Sequence, residues 1–484
     1  MDRSLIEEAL DAMDSHGCDY GDIRLEYDKT ESITIKGEKP EVIRQAESMG
    51  YGIRIFTKGG WGFASSSDLT RSGIVRACRK ALEIARASRK APSRNMLYQP
   101  PPGIRAQYAT PCKRDPFSVS LEEKLALLCS ATRIMSRKNL VKIAKGFADS
   151  SCKNKIFAST RGSWIEQEII TCGGGILATA IKDGEVQSRS YPTSFRGNFA
   201  TAGWEFVQSL ELEKNAAEVA SEAAALIEAK ECPVEDQATI ILGSDQLALQ
   251  IHESIGHPIE LDRVFGQEAS YAGTSFLNPE MLGSFRYASP EVTILADATT
   301  PMGLGSFGYD DEGTPAQCVP IIEKGILRNF LTSCGTAPYL KGKKRSNGAA
   351  RAESWENIPI VRMTNINMEP GTWDFKDLIS DTRKGYLLQT NKSWSIDDKR
   401  INFQFGVEAA WEIKNGKIGR LFKNPVYTGV TPEFWNSCDA VCHADYWELW
   451  GIPNCGKGEP SQTMHVGHGT APARFTKVQL GPAK

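Results

Sequence analysis

Residues 250–258 read Gln-Ile-His-Glu-Ser-Ile-Gly-His-Pro, with His252, Glu253 and His257 in an H-E-x-x-x-H pattern. Two imidazoles can hold a divalent metal, and a carboxylate beside the first can take a proton from a water held there. The shorter H-E-x-x-H sites use the same parts, but here the spacing is one residue longer. On an ideal helix, residues four apart lie about 40° apart around the axis and residues five apart about 140°. Two histidines at this spacing on an unbroken helix do not face one metal.

The flanking residues suggest a way round this. Ser244 reads as an N-cap, and Asp245 in the first turn suits the positive end of a helix. Leu247, Ile251 and Ile255 fall on one stripe, the face expected to be buried. Gly256 is a terminating residue, and Pro258 disfavours helical geometry for His257. His252 and Glu253 are therefore expected on the helix and His257 swung off its end. A π-type bulge in the last turn serves equally well.

Outward from this stretch, 484 residues are too many for one ordinary core, so two or three domains are expected. Hydrophobic residues at 41% and charged residues at 24% describe a folded, soluble chain. A formal net charge of -2 gives no electrostatic case for nucleic acid or an anionic membrane. The 12 cysteines form no zinc-finger or C-x-x-C pattern. The N-terminus has no apolar signal region, and no apolar run approaches the roughly 20 residues that span a bilayer. A reducing cytoplasm with free, mostly buried thiols is the expectation.

The N-terminal half alternates helices and strands. Residues 4–15 read as an amphipathic helix, 22–27 and 32–36 as strands, and 48–56 with 61–65 as a hairpin. Ser67 or Asp68 caps a helix through Ala87. Residues 90–116 carry six prolines and read as an extended linker. The order then recurs. A helix over 121–135 is capped by Ser120, strands follow at 140–149, 155–159, 164–171, 176–182 and 185–191, and a helix closes at 210–229. Gly173-Gly174-Gly175 has no following helix or Lys-Ser/Thr, so it reads as a kink or bulge rather than a phosphate loop.

Beyond residue 230 a short strand at 238–242 leads into the metal helix. Strands are then expected at 291–297, 316–323, 325–331, 360–367, 384–390, 400–414 and 417–425. Residues 341–345 read as a solvated basic loop. The fold class is α+β, with N-terminal helix–sheet–helix subdomains followed by a largely antiparallel β C-terminal domain carrying the metal helix. The expected boundaries are 1–90, a linker at 91–116, 117–230 and 231–484.

A catalytic zinc usually takes three protein ligands and keeps one position for water. The C-terminal end offers Cys438, Cys442, His443, Cys455, His465 and His468. Cys438 and Cys442 read as small buried thiols. Cys455 sits in a glycine-flanked loop that can bring a thiolate to a metal. His465 and His468 remain open as ligands, oxyanion donors or loop histidines, with Cys455 slightly ahead.

Several separated stretches together resemble the TldD/PmbA family of metalloproteases, in its TldD-like, metal-bearing branch. They are His-Glu-Ser-Ile-Gly-His at 252–257, Asp-Asp-Glu-Gly-Thr-Pro at 310–315, Ile-Glu-Lys-Gly at 322–325, Arg-Met-Thr-Asn at 362–365, Phe-Gly-Val-Glu at 405–408 and Asn-Cys-Gly-Lys at 454–457. The resemblance implies a zinc peptidase with His252, His257 and Cys455 as ligands and Glu253 as general base. It implies an unstructured peptide substrate, taken as an added β-strand in a closed chamber. It also implies a dimer, with a second copy or with a metal-free PmbA-like subunit. The histidine-rich segment 464–468 departs from the family pattern and keeps His465 and His468 in play at the metal.

Tyr309, Arg362, His465 and His468 are candidate oxyanion donors. Asp310-Asp311-Glu312 reads equally as a peptide-binding or dimer-contact loop and as a polar turn. Two other functions stay open. One is a non-catalytic peptide-binding subunit with a structural zinc closed by His465 or His468. The other is a metallohydrolase for small amides or esters, with a compact pocket instead of a groove.

Overall fold

The computed structural model describes residues 2–15, 17–89, 97–342, 345–458 and 461–482. Part of the expected linker (90–96) and part of the basic loop (343–344) lie outside these. The fold is α+β, with mostly antiparallel sheets, as expected. None of the described helices is long and apolar enough to cross a membrane.

The N-terminal half is organised on one eight-stranded sheet, which the two expected subdomains share. Strand Tyr20–Lys36 pairs with Lys39–Thr57 on one side and with Val141–Ser159 on the other. Val141–Ser159 pairs in turn with Trp164–Lys182. Helices Ser4–Ser15 and Arg71–Ser88 pack an apolar cluster against one part of the sheet. Leu121–Ser136 and Leu212–Glu228 pack another. Ser120 caps its helix as expected, accepting from the Glu123 N–H. The cap of Arg71–Ser88 is Thr70, whose hydroxyl accepts from the Gly73 N–H, while the Asp68 carboxylate accepts from the Thr70 hydroxyl and pairs with the Arg76 side chain of the helix.

Several strands are longer than expected. Residues 22–27 and 32–36 belong to one strand, as do 141–149 and 155–159. Trp164–Lys182 runs through Gly173-Gly174-Gly175 in regular register against Asp149, Ala148 and Phe147, the one shift in this pairing lying between Val141 and Ile143. The glycines are therefore not a bulge. A Cβ on Gly173 would lie 2.3 Å from Phe199, and one on Gly174 would lie 2.4 Å from the Phe147 carbonyl. Their lack of side chains lets neighbouring segments approach closely. Within the proline-rich stretch, Arg105–Ala109 adds a parallel edge strand to Trp164–Lys182.

The C-terminal part has a second eight-stranded sheet in which Glu235–Leu242 lies between Lys384–Ile396 and Ala473–Pro482. A smaller sheet holds Ile294–Asp297, Cys318–Glu323 and Ile366–Met368. The expected strands at 325–331 and 360–367 shrink to Ile326–Leu327, Ile360–Val361 and Ile366–Met368. A hairpin of Glu448–Lys457 and Gln462–Thr470, absent from the expectations, forms its own two-stranded sheet. Cys455 is on this hairpin, so it sits on a strand and not in a loop.

The Asp310-Asp311-Glu312 stretch is neither a surface turn nor a contact loop, for all three residues are buried. Asp310 accepts main-chain N–H bonds from Glu312, Thr314 and Ala350. Asp311 pairs with Lys155, and Glu312 pairs with Arg54 at 3.0 Å. Arg54 also holds Asp22 at 2.7 Å. These ions fasten the C-terminal part to the N-terminal sheet. Arg54→Met leaves two buried carboxylates without their cation, and is expected to destabilise the protein by about 3–5 kcal/mol. Urea unfolding is the check: an unchanged midpoint would mean the carboxylates are solvated.

Candidate metal centre

Helix Ser244–Ile251 is buried on nearly every side, including its polar residues. Gln246 donates to the Tyr427 hydroxyl at 2.9 Å, and that hydroxyl donates to Gln250 at 2.8 Å. Gln250 and Trp435 both donate to Ser254 Oγ at 2.9 Å. This network satisfies most of the polar groups that burial would otherwise penalise, Gln246 Oε1 excepted. Gly243 occupies the N-cap instead of Ser244, whose hydroxyl donates to Glu448 at 2.7 Å. Leu247, Ile251 and Ile255 are fully buried, as their stripe requires.

The helix continues into a π turn, His252–Gly256, in which the His257 N–H donates to the His252 carbonyl at 3.2 Å. The bulged alternative therefore holds. His257 is not swung off the end: its φ of -68° and ψ of -43° are helical despite Pro258. Pro258 has no N–H to offer Ser254, and the Tyr287 hydroxyl bonds that carbonyl instead. Gly256 lets Met363 pack close: a Cβ there would lie 2.1 Å from Met363 Sδ and force that buried side chain to move.

The wider turn brings the two imidazoles to 4.9 Å between ring centroids. The Cys455 thiol joins them from the hairpin, its Sγ lying 3.9 Å from His257 Nε2. One ligand atom from each of His252, His257 and Cys455 falls within 4.8 Å of the others. Both rings are oriented from behind. His257 Nδ1 bonds Glu260 at 3.0 Å. His252 Nδ1 bonds His468 Nε2 at 2.9 Å, and His468 Nδ1 bonds the Ile366 carbonyl at 3.2 Å. A carbonyl only accepts, so His468 carries its proton on Nδ1. Its Nε2 must then accept from His252 Nδ1, which leaves the His252 Nε2 lone pair free.

Burial works to raise the Cys455 thiol, but Arg362 and His257 outweigh it and bring it below its ordinary value. Arg362 donates to the Cys455 and Gln462 carbonyls, so it also clamps the hairpin. Glu253 lines the same cavity, of about 390 Å³, and forms an ion pair with Arg400. Arg400 and Glu260 were not singled out by spacing, since each meets its partner only in the fold. Tyr309, Arg362, His465 and His468 do not line this cavity. Tyr309 and His465 line another one. Cys438 and Cys442 are buried thiols, and burial pushes Cys442 up to about 12.

Burial depresses His252 and His465 to about 4, and places His257 and His468 well below the usual 6.5. The folded state keeps these rings neutral, while the unfolded chain protonates them near pH 6.5. The unfolded state therefore binds more protons below that pH, and stability falls as pH drops from 6.5 toward 4. The slope is at most about 1.4 kcal/mol per pH unit per histidine. Urea midpoints of chelator-treated protein should fall across this window, and less steeply in His465→Gln. Equal slopes would show that His465 is solvated.

Family profiles match along the chain. PmbA/TldA metallopeptidase domain 1 matches residues 21–85, the central domain 114–231 and the C-terminal domain 235–480. A metalloprotease of Methanocaldococcus jannaschii is 32% identical, over 93% of this chain and 94% of that protein. A zinc metalloprotease TldD homologue of Saccharolobus solfataricus is 26% identical, over 51% of this chain and 52% of that protein. Among solved structures, TldE from Thermococcus kodakarensis superposes with a TM-score of 0.72 at 15% identity, covering 99% of both chains. A Thermotoga maritima protein does so with 0.75 at 17%, covering 99% of this chain and 100% of that one. These two likenesses establish the fold alone.

Proposed function

The chain belongs to the PmbA/TldA metallopeptidase family, and we propose that it is a zinc peptidase for unstructured peptides. In this reading His252, His257 and Cys455 are the ligands and Glu253 is the general base. The observation that carries it is the convergence of those three donor atoms within 4.8 Å, in a cavity that Glu253 also lines. Two imidazoles and a thiolate suit zinc better than a hard cation. Three protein donors leave a position for solvent; His465 lines another cavity and His468 Nε2 is taken up by His252 Nδ1, which supports an open site over a structural one. Bound there, zinc supplies Lewis acidity, bringing the pKa of a water toward about 7 and polarising a peptide carbonyl.

Glu253 then takes the proton of the attacking water and passes it to the leaving amine. The ion pair with Arg400 aims the Glu253 carboxylate. Once Glu253 is protonated, the Arg400 guanidinium is free to face the carbonyl oxygen as negative charge develops. Trp394, Ser395 and Ile396 line the cavity from strand Lys384–Ile396. Ile240–Leu242 pairs with that strand only over Tyr386–Leu388, and among the described residues no other strand continues along this edge. The open edge supports capture of substrate main chain as an added strand, with little dependence on sequence.

The family resemblance carries the assembly: a dimer with a second copy or with a metal-free PmbA-like subunit. All twelve cysteines are free, which supports a reducing cytoplasm.

The test is peptide cleavage read by mass spectrometry, with metal assayed in every sample. Wild type is expected to carry zinc and cut an unfolded peptide. Glu253→Ala should keep zinc and lose cutting by about 10²–10⁴. Undiminished cutting by Glu253→Ala would sink this mechanism. Turnover of a small ester but of no peptide would move the assignment to a small-amide hydrolase. Arg400→Met should lower kcat by about 10²–10³ with metal content unchanged. An equal rise in KM with kcat intact would instead make Arg400 a substrate-binding group.

A further inference from the structure

A second cavity, of about 310 Å³, lies where the hairpin faces the N-terminal sheet. Ile169 and Thr171 come from that sheet, Leu304 and Phe307 from a loop, and Pro453 and His465 from the hairpin. It shares no lining residue with the cavity at His252. Its size is at the lower end of small-molecule sites, whose usual form is apolar walls with a few placed polar groups.

Three cations border it together with the carboxylates of Asp28, Asp311 and Glu353, and two of the cations have counter-ions. Lys155 pairs with Asp311, and Lys153 lies 3.5 Å from both Glu26 and Asp28. Arg351 has none. It is only 8% exposed, and its Nη2 donates to the main-chain carbonyls of Met363 and His465. Its Nε has no partner, and among the described residues no carboxylate lies within 4 Å of it. A buried guanidinium without an anion is strongly unfavourable. Burial, with Arg362 nearby, brings Arg351 down to about 9. The guanidinium stands over the Phe307 ring, 5.5 Å from its centroid, so the unmatched charge adjoins an apolar wall.

We propose that this cavity binds a small carboxylic acid with an apolar body. The carboxylate faces Arg351, and the body rests against Ile169, Leu304 and Phe307. Such a group is available as a free acid or as the C-terminal residue of a peptide. Arg351 also ties the cavity to both sides of the candidate metal centre. The Met363 carbonyl belongs to the residue packed on Gly256, and His465 adjoins Met464, the cross-strand partner of Cys455. The site is independent of whether the metal centre is catalytic.

The experiment is calorimetric titration of the full chain with 3-phenylpropionate and its neutral amide. The acid is expected to bind saturably, and at least about tenfold more tightly than the amide. Arg351→Gln should remove that preference. His257→Ala should leave binding within about twofold, which separates this site from a carboxylate on a metal. Ile169→Trp fills the cavity without touching Arg351 and should abolish binding, so the test stands even if Arg351→Gln does not fold. A short peptide ending in phenylalanine separates the sources. Competition by its acid form but not its C-terminal amide identifies a peptide terminus, and no competition identifies a free acid. Equal affinity for acid and amide, no binding of either, persistence in Ile169→Trp, or loss in His257→Ala would overturn the proposal.

Discussion

One hydrogen bond of unusual span, from the His257 N–H to the His252 carbonyl, sets the geometry on which the candidate centre depends. A regular helical turn would point the two imidazoles apart. The wider turn lets both rings look the same way while the chain stays hydrogen-bonded. Such a turn is uncommon because its packing is poorer, and it persists where the surroundings over-determine it. Here they do so with Met363 against Gly256, the Tyr287 hydroxyl on the freed Ser254 carbonyl, and the Gln246–Tyr427–Gln250–Ser254 chain of bonds.

Fixing the backbone does not fix an imidazole, and the next layer does that. The Ile366 carbonyl decides the tautomer of His468, and His468 decides that of His252. Glu260 orients His257, and it is itself held by buried Lys457 and Arg263. Lys457 lies on the same hairpin as Cys455, so the segment that supplies the thiol also steadies the histidine opposite it. Partners of this kind usually tune a metal site strongly.

His252 and His257 stood out because histidine is rare in this chain and they fall in one short motif, whereas Cys455 was only slightly ahead of its neighbours until the family resemblance singled it out. The residues that orient these ligands did not stand out. Arg400, Glu260 and Ile366 are ordinary in their local sequence and gain meaning only through partners that the fold brings near. The hairpin of Cys455 was hidden by glycines at 451, 456, 467 and 469, which weaken any strand pattern. Close contacts require several of them: a Cβ on Gly469 would lie 1.7 Å from the Trp447 ring. Asp310-Asp311-Glu312 misled for a related reason. Three acidic residues beside a glycine and a proline look like a solvated turn, and the cations that pair with Asp311 and Glu312 lie over 150 residues away. The long strands were read in pieces because their polar, exposed stretches break the alternation that the buried stretches keep.

The ionic fastening between the two halves has a meaning for ancestry and engineering. Apolar surfaces tolerate exchange of one shape for a similar one, but buried charges must match one to one. Asp22, Arg24, Arg54 and Lys155 on the N-terminal sheet answer Asp311 and Glu312 on the C-terminal side as a single set. A chimaera that joins the N-terminal half of one relative to the C-terminal half of another must carry that whole set across the junction. The set acts as an address by which each half recognises its own counterpart.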